Sequence, residues 1–192
     1  MTPPAPSRPD SGAGPAWAHE CGAAALSSGP PAAGVDSPAS ALAEPLSRYC
    51  WAYDERRREM LAECFSPDGV WEGVVAGGQA VGPFRGRERI IEWLAGFWPH
   101  QREQRRHVLN NFLVDSRSDS EAEIYAYLQL YSARDGAVKL ETTGFYRAEL
   151  LADEGSWRIR RLYAGFDVPF WPGRVESLSE RARRRHGLLD GD

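Results

Sequence analysis

The chain has 192 residues, 42% of them hydrophobic, and a formal net charge of −4; it is long and apolar enough for one globular domain with a sizeable core. The mildly acidic balance excludes the basic footprint of a nucleic-acid binder, and no apolar run is long enough to span a membrane. No basic region followed by an apolar stretch marks a signal peptide, and Cys21, Cys50 and Cys64 lack metal-ligand spacing, so a cytoplasmic protein without a disulfide framework is expected.

Residues 1–40 are rich in Pro, Ala, Gly and Ser and hold most of the chain's 14 prolines. Such a segment buries too little surface to offset its ordering entropy, and a disordered tail is expected, with Trp17 its one bulky aromatic. The folded domain is expected over 41–170. Leu46, Tyr49, Cys50, Tyr53, Met60, Leu61 and Cys64 recur at helical spacing. An unbroken helix would put Arg57 in the middle of that stripe, so two consecutive helices are predicted, with Asp54 at their junction. Cys50 and Cys64 read as buried thiols. Ser66-Pro67-Asp68-Gly69 is a turn before a short strand over 70–75.

Residues 76–84 read as a Gly-rich loop without the Gly-Lys-Ser/Thr ending of a phosphate loop. A helix over 86–98 is stopped by Pro99. Strands follow over 105–117, 121–133, 138–151 and 157–168, joined by hairpin turns. Helices first and strands after predict an α+β domain, its antiparallel sheet covered on one face by helices. Residues 171–192 form a C-terminal tail with a short basic helix over 178–186.

The strand over 105–117 yields the first candidate site residue. In Arg105-Arg-His-Val-Leu-Asn-Asn-Phe-Leu-Val-Asp115, strand alternation places His107, Leu109, Asn111 and Leu113 on one face. A histidine and an asparagine on an apolar face suit a ligand pocket. An imidazole titrates near neutrality and can take and return a proton. Asp54, at the edge of the helical stripe, either holds that imidazole in one tautomer and favours its charged form, or caps the second helix. Tyr49 and Tyr53 serve either as donors to a substrate carbonyl or as core aromatics. Trp71, Phe97 and Trp98 line a pocket or pack the core, and Asn111 orients a ligand or pairs with backbone. Tyr125, Tyr127 and Tyr131 share one strand face, either pocket wall or dimer surface. His19, His100 and His186 join no cluster, so no metal is expected, and no flavin or nicotinamide fingerprint is present.

Four stretches carry a family resemblance: Tyr49-Cys-Trp-Ala-Tyr53-Asp54; Phe65-Ser-Pro-Asp68-Gly-Val-Trp71; Phe84-Arg-Gly86-Arg-Glu-Arg-Ile90; and Arg106-His107 with Asn111, followed by Trp157-Arg158-Ile159 and Asp167. In this order the chain resembles, from Ala41 to Val168, the SnoaL-like branch of the nuclear transport factor 2-like superfamily. That group includes polyketide cyclases, scytalone dehydratase, bile acid dehydratases and steroid isomerases. The resemblance implies a cone-shaped half-barrel, a curved antiparallel sheet wrapped round N-terminal helices with a deep apolar pocket. It also implies an Asp–His pair, matched by Asp54 and His107, and a site tyrosine, matched by Tyr49 or Tyr53. Residues 127–134 lack the second histidine of scytalone dehydratase, which leaves proton transfers other than dehydration open.

The function expected is a cofactor-independent lyase, isomerase or cyclase with a small hydrophobic, polyketide-, terpenoid- or steroid-like substrate. Asp54, His107, Tyr49 and Tyr53 carry the chemistry; Trp71, Phe97, Trp98, Leu109 and Asn111 hold the substrate. The alternatives are a non-catalytic scaffold resembling ring-hydroxylating dioxygenase β subunits, and a small-ligand carrier. No metal, cofactor, nucleic acid or membrane is expected as partner, and a homodimer is implied.

Overall fold

The computed structural model describes residues 39–75 and 79–168. The tail expected over 1–40, save its last two residues, and the segment 171–192 lie outside the described residues. Helix α1 runs Ala39–Asp54 and α2 runs Arg58–Glu63; β1 (Phe65–Val75) and β2 (Gln79–Arg85) follow, then α3 (Arg87–Ala95) and a 3-10 turn (Trp98–His100). The last four strands are β3 (Gln104–Arg117), β4 (Glu121–Arg134), β5 (Ala137–Asp153) and β6 (Ser156–Phe166).

The break at Asp54 has a backbone cause. Arg56 sits in the left-handed region at φ 53°. Its N–H bonds to the Tyr53 carbonyl (3.2 Å), and the Arg57 N–H to that of Ala52 (2.8 Å). This pair of bonds closes a helix C-terminus, usually around glycine; here arginine fills the position. The turn keeps Arg57 off the apolar stripe, and Leu42, Leu46, Tyr49, Cys50 and Tyr53 bury one face of α1.

The six strands form one sheet in the order β2-β1-β6-β5-β4-β3. It is curved and unclosed, with the helices packed on it, in the α+β class expected. Neighbours are antiparallel except β1 and β6, which run parallel (Trp71 beside Leu162, Val74 beside Gly165). The sheet is therefore mixed rather than wholly antiparallel, because the β3–β6 meander returns the chain to β1 in the same direction. A second correction concerns residues 76–84: their second half belongs to β2, paired with β1 through Ala80, Val81 and Phe84. Glycine and proline disfavour strand interiors but are tolerated at an edge, and β2, with Gly82 and Pro83, is one of the sheet's two edges.

Alternation sends Ala122, Ile124, Ala126, Leu128 and Leu130 of β4 inward, with Tyr146, Ala148 and Leu150 of β5. These meet α1 and the Ile90, Ile91 and Leu94 face of α3. Gly144 lies where β5 approaches the Gly165 backbone too closely for a Cβ, a device that lets a sheet bend. Among the described residues no helix is long and apolar enough to cross a membrane.

Candidate functional site

The site is a small hollow between the inner face of the sheet and helices α1 and α3, with a cavity volume of about 50 Å³. His107 stands on β3 opposite Leu130 of β4, and both line the hollow. Asp54 is the last residue of α1, and its carboxylate takes two hydrogen bonds from His107. The backbone N–H donates to Oδ2 (2.7 Å), and Nδ1 lies 2.6 Å from Oδ1. Both side chains are almost fully buried, where charge-assisted bonds are strong. With Nδ1 held by the carboxylate, Nε2 is the nitrogen left for a ligand, and the tautomer is fixed with Nδ1 protonated.

The junction that frees Asp54 for this task is held from several sides. Gln104 Nε2 donates to the Asp54 carbonyl (3.1 Å), satisfying one orphan group of the helix end. Glu55, also buried, meets Arg106 at 2.6 Å. Two consecutive acids thus pair with two consecutive cationic or protonatable residues of β3. The capping alternative for Asp54 is not realised: Arg57 precedes α2 and makes no side-chain cap bond.

Tyr53 and Tyr49, one helical turn apart, both line the hollow. The Tyr53 ring meets His107 edge-on with centroids 5.5 Å apart. Its hydroxyl accepts a hydrogen bond from Gln101 Nε2 (2.7 Å), which occupies a lone pair and leaves the phenolic proton to be donated. Burial pushes the Tyr53 phenol up to about 12, so it remains a donor at neutral pH. The Tyr49 hydroxyl accepts from Trp71 Nε1 (3.2 Å), and burial raises its phenol far above the usual range. Tyr146 completes a chain of contacts: its ring lies edge-on to Tyr49 at 5.8 Å and roughly parallel to His107 at 6.5 Å.

The apolar wall is aromatic. Trp71 of β1 lies 4.5 Å from Trp93 of α3, and Trp93 meets Phe97 at 5.3 Å, centroid to centroid. Of the substrate-holding residues expected, Trp71 and Phe97 line the hollow, while Trp98, Leu109 and Asn111 do not. Trp98 packs outside it against Tyr53 (6.1 Å), and Leu109 packs against the core. Asn111 takes φ 51° where the β3–β4 register slips between Asn110 and Leu113. That bulge ends the alternation counted from His107, leaving Asn111 and Leu113 exposed. The β4 tyrosines alternate with buried Leu128 and Leu130, so they lie on the outer face.

Sequence reasoning missed Trp93, Gln101, Arg105 and Tyr146, all on the lining. A signal existed for two of them. Arg105 precedes His107 by two and shares its strand face. On β5, the charged Arg147 and Glu149 mark the outward positions, which turns Tyr146 inward.

Among solved structures, the chain is similar to a protein from Catenulispora acidiphila in complex with S-DNPA, at 25% identity and a TM-score of 0.57, covering 65% of this chain and 90% of that one. It is also similar to a Novosphingobium aromaticivorans chain whose proposed identity is the β subunit of an aromatic-ring-hydroxylating dioxygenase, at 15% identity and a TM-score of 0.60, covering 72% and 92%. A protein of unknown function from Mycobacterium tuberculosis has the same fold, at 24% identity and a TM-score of 0.55, covering 66% and 74%. None of the curated proteins matches the sequence. Residues 39–163 match the SnoaL-like domain, well over half of the chain, and the protein therefore belongs to the SnoaL-like family of the nuclear transport factor 2-like superfamily.

Proposed function

We propose that this protein is a cofactor-independent lyase, isomerase or cyclase, in which the Asp54–His107 pair moves a proton on a small hydrophobic substrate. The observation that carries the reading is the 2.6 Å contact between His107 Nδ1 and the Asp54 carboxylate on the wall of an aromatic hollow. His107 Nε2 takes a proton from a carbon next to a substrate carbonyl, and the imidazolium so formed faces Asp54. The electron pair moves onto the carbonyl oxygen, where the Tyr53 hydroxyl, or that of Tyr49, donates to the growing charge. Returning the proton to another carbon gives isomerisation. Returning it to a departing hydroxyl gives dehydration and water. Attack of the enolate carbon on a second carbonyl of the same molecule closes a ring, and the imidazolium returns its proton to the new alkoxide oxygen.

The relative that holds S-DNPA supports small-molecule binding in such a hollow. The scheme is tested without the true substrate by proton exchange. In deuterated buffer the protein should accelerate loss of the carbon-bound α-protons of 2-tetralone, followed by proton NMR, and His107→Gln should abolish the acceleration. Binding of 2-tetralone without faster exchange would reject the catalytic reading and favour a carrier or a dioxygenase-type scaffold.

The same reading includes pairing of two copies through the outer sheet face, where Val108, Tyr127 and Leu140 are 41%, 59% and 48% exposed. Light scattering should give twice the chain mass, and Tyr127→Glu should return it to one.

A further inference from the structure

We infer that Gln101 is a positioning residue: it makes Tyr53, rather than Tyr49, the donor to the substrate's oxygen, and Arg56 holds it in place to do so. The inference rests on the reaction proposed above and names the group that meets its developing charge. Tyr53 directly precedes Asp54, and its ring meets His107 edge-on with centroids 5.5 Å apart, so it stands beside the base. Tyr49 lies one helical turn further from the pair, and its hydroxyl already meets Trp71 and Tyr146. Gln101, 7% exposed, lines the hollow with Tyr53. An amide nitrogen only donates, so the 2.7 Å bond from Gln101 Nε2 fills a lone pair of the Tyr53 oxygen and turns the phenolic proton away from Gln101. A bond received also polarises the hydroxyl and strengthens the one it gives in turn. Burial pushes the Tyr53 phenol up to about 12, and the Gln101 bond and the charges of Arg105 and Arg56 oppose that rise. Each of these makes the hydroxyl a better donor to a growing negative charge.

The main chain of Gln101 is fixed on both sides. Its N–H bonds to the Trp98 carbonyl at the end of the 3-10 turn (3.2 Å), and its own carbonyl accepts from Arg56 Nη2 (2.5 Å). This contact gives a reason for arginine at the left-handed position. At φ 53° any side chain carries a backbone cost that glycine does not, and a long donor is what spans to a carbonyl 45 positions on. The turn that ends α1 therefore supplies Asp54 to the imidazole and, two residues later, Arg56 to Gln101. Base and oxygen donor are set by one stretch of chain.

The probes are two single-ring molecules: 4-nitrophenolate, whose charged oxygen stands in for an enolate, and 4-nitrotoluene, which carries a methyl group there. Each is titrated into the full chain by calorimetry at a pH where the phenol is ionised, and the ratio of the two affinities is read. A pocket that is merely loosened loses both affinities together and keeps the ratio. The natural protein should prefer the phenolate by at least about tenfold. Tyr53→Phe should remove the preference, and Tyr49→Phe should keep it. Gln101→Leu, which adds no charge, should cut it severalfold. Gln101→Glu should abolish it, because a carboxylate only accepts and draws the phenolic proton to itself. Arg56→Gly, at a backbone conformation glycine adopts freely, should lower the preference as Gln101→Leu does. No preference in the natural protein, a preference lost with Tyr49 rather than Tyr53, or one unmoved by Gln101→Leu and Arg56→Gly would each overturn the inference. Binding is read without turnover, so a protein that shows this pattern yet exchanges no α-proton keeps the assigned donor and loses the proton transfer.

Discussion

Replacing His107 with glutamine should lower α-proton exchange, and turnover of the true substrate, by about 10²–10⁴-fold, the range contributed by a positioned general base. Asp54→Asn should cost a comparable factor for a subtler reason. The asparagine oxygen can still accept the His107 backbone N–H that now donates at 2.7 Å. Its amide group then faces Nδ1, turns that nitrogen into an acceptor, and moves the imidazole proton to Nε2. A protonated Nε2 cannot take a proton from substrate, so the fold survives and the base is lost. Because the two side chains act as one unit, the double variant should be little worse than either single variant, far from the product of the two losses. Thermal unfolding of each variant checks that the loss is chemical. A folded Asp54→Asn protein with full activity would reject the pair as the proton relay.

How much of this was legible in the sequence differs from element to element. The helix break at Asp54 was legible because Arg57 would otherwise have interrupted an apolar stripe, a conflict that only a turn removes. The turn's chemistry was not, since arginine rather than glycine occupies the left-handed position at Arg56. The meander β3–β6 was legible from alternation and hairpin turns. The edge strand β2 was not, because Gly82 and Pro83 carry the signature of a loop and only a place at the sheet's rim reconciles them with a strand. The parallel β1–β6 pair was likewise hidden: strand direction depends on topology, and no residue pattern in either strand encodes it.

The candidate site divides in the same way. Asp54 and His107 lie 53 positions apart, and nothing local links them; family resemblance supplied the pairing that geometry now describes. Asn111 was placed on the His107 face by counting in twos, and a single bulge defeated the count. Arg105 sat within the same count and passed unnoticed because a buried arginine is improbable on composition alone. The hollow's polar character thus depends on residues whose burial, rather than whose type, is informative.

Arg106→Met should destabilise the protein by about 2–3 kcal/mol, read as a lower denaturant midpoint at unchanged slope. Glu55 is 1% exposed, and its carboxylate meets Arg106 at 2.6 Å. Removing one member of a fully buried pair costs about 3–5 kcal/mol, chiefly because the other charge stays desolvated; the Arg106 side chain is 33% exposed, and solvent screening lowers the figure. The double variant Glu55→Leu with Arg106→Met should recover much of that loss, since an apolar pair of similar volume is often neutral at such a place. Stability and chemistry then separate. Glu55 directly follows Asp54, and Arg106 directly precedes His107, so this ion pair fixes the end of α1 against β3 beside the Asp54–His107 contact. The stable double variant should therefore fold yet exchange protons more slowly, because the 2.6 Å contact at Nδ1 tolerates little drift of one element past the other. Full exchange activity in that variant would show that the helix end is held in place by packing alone.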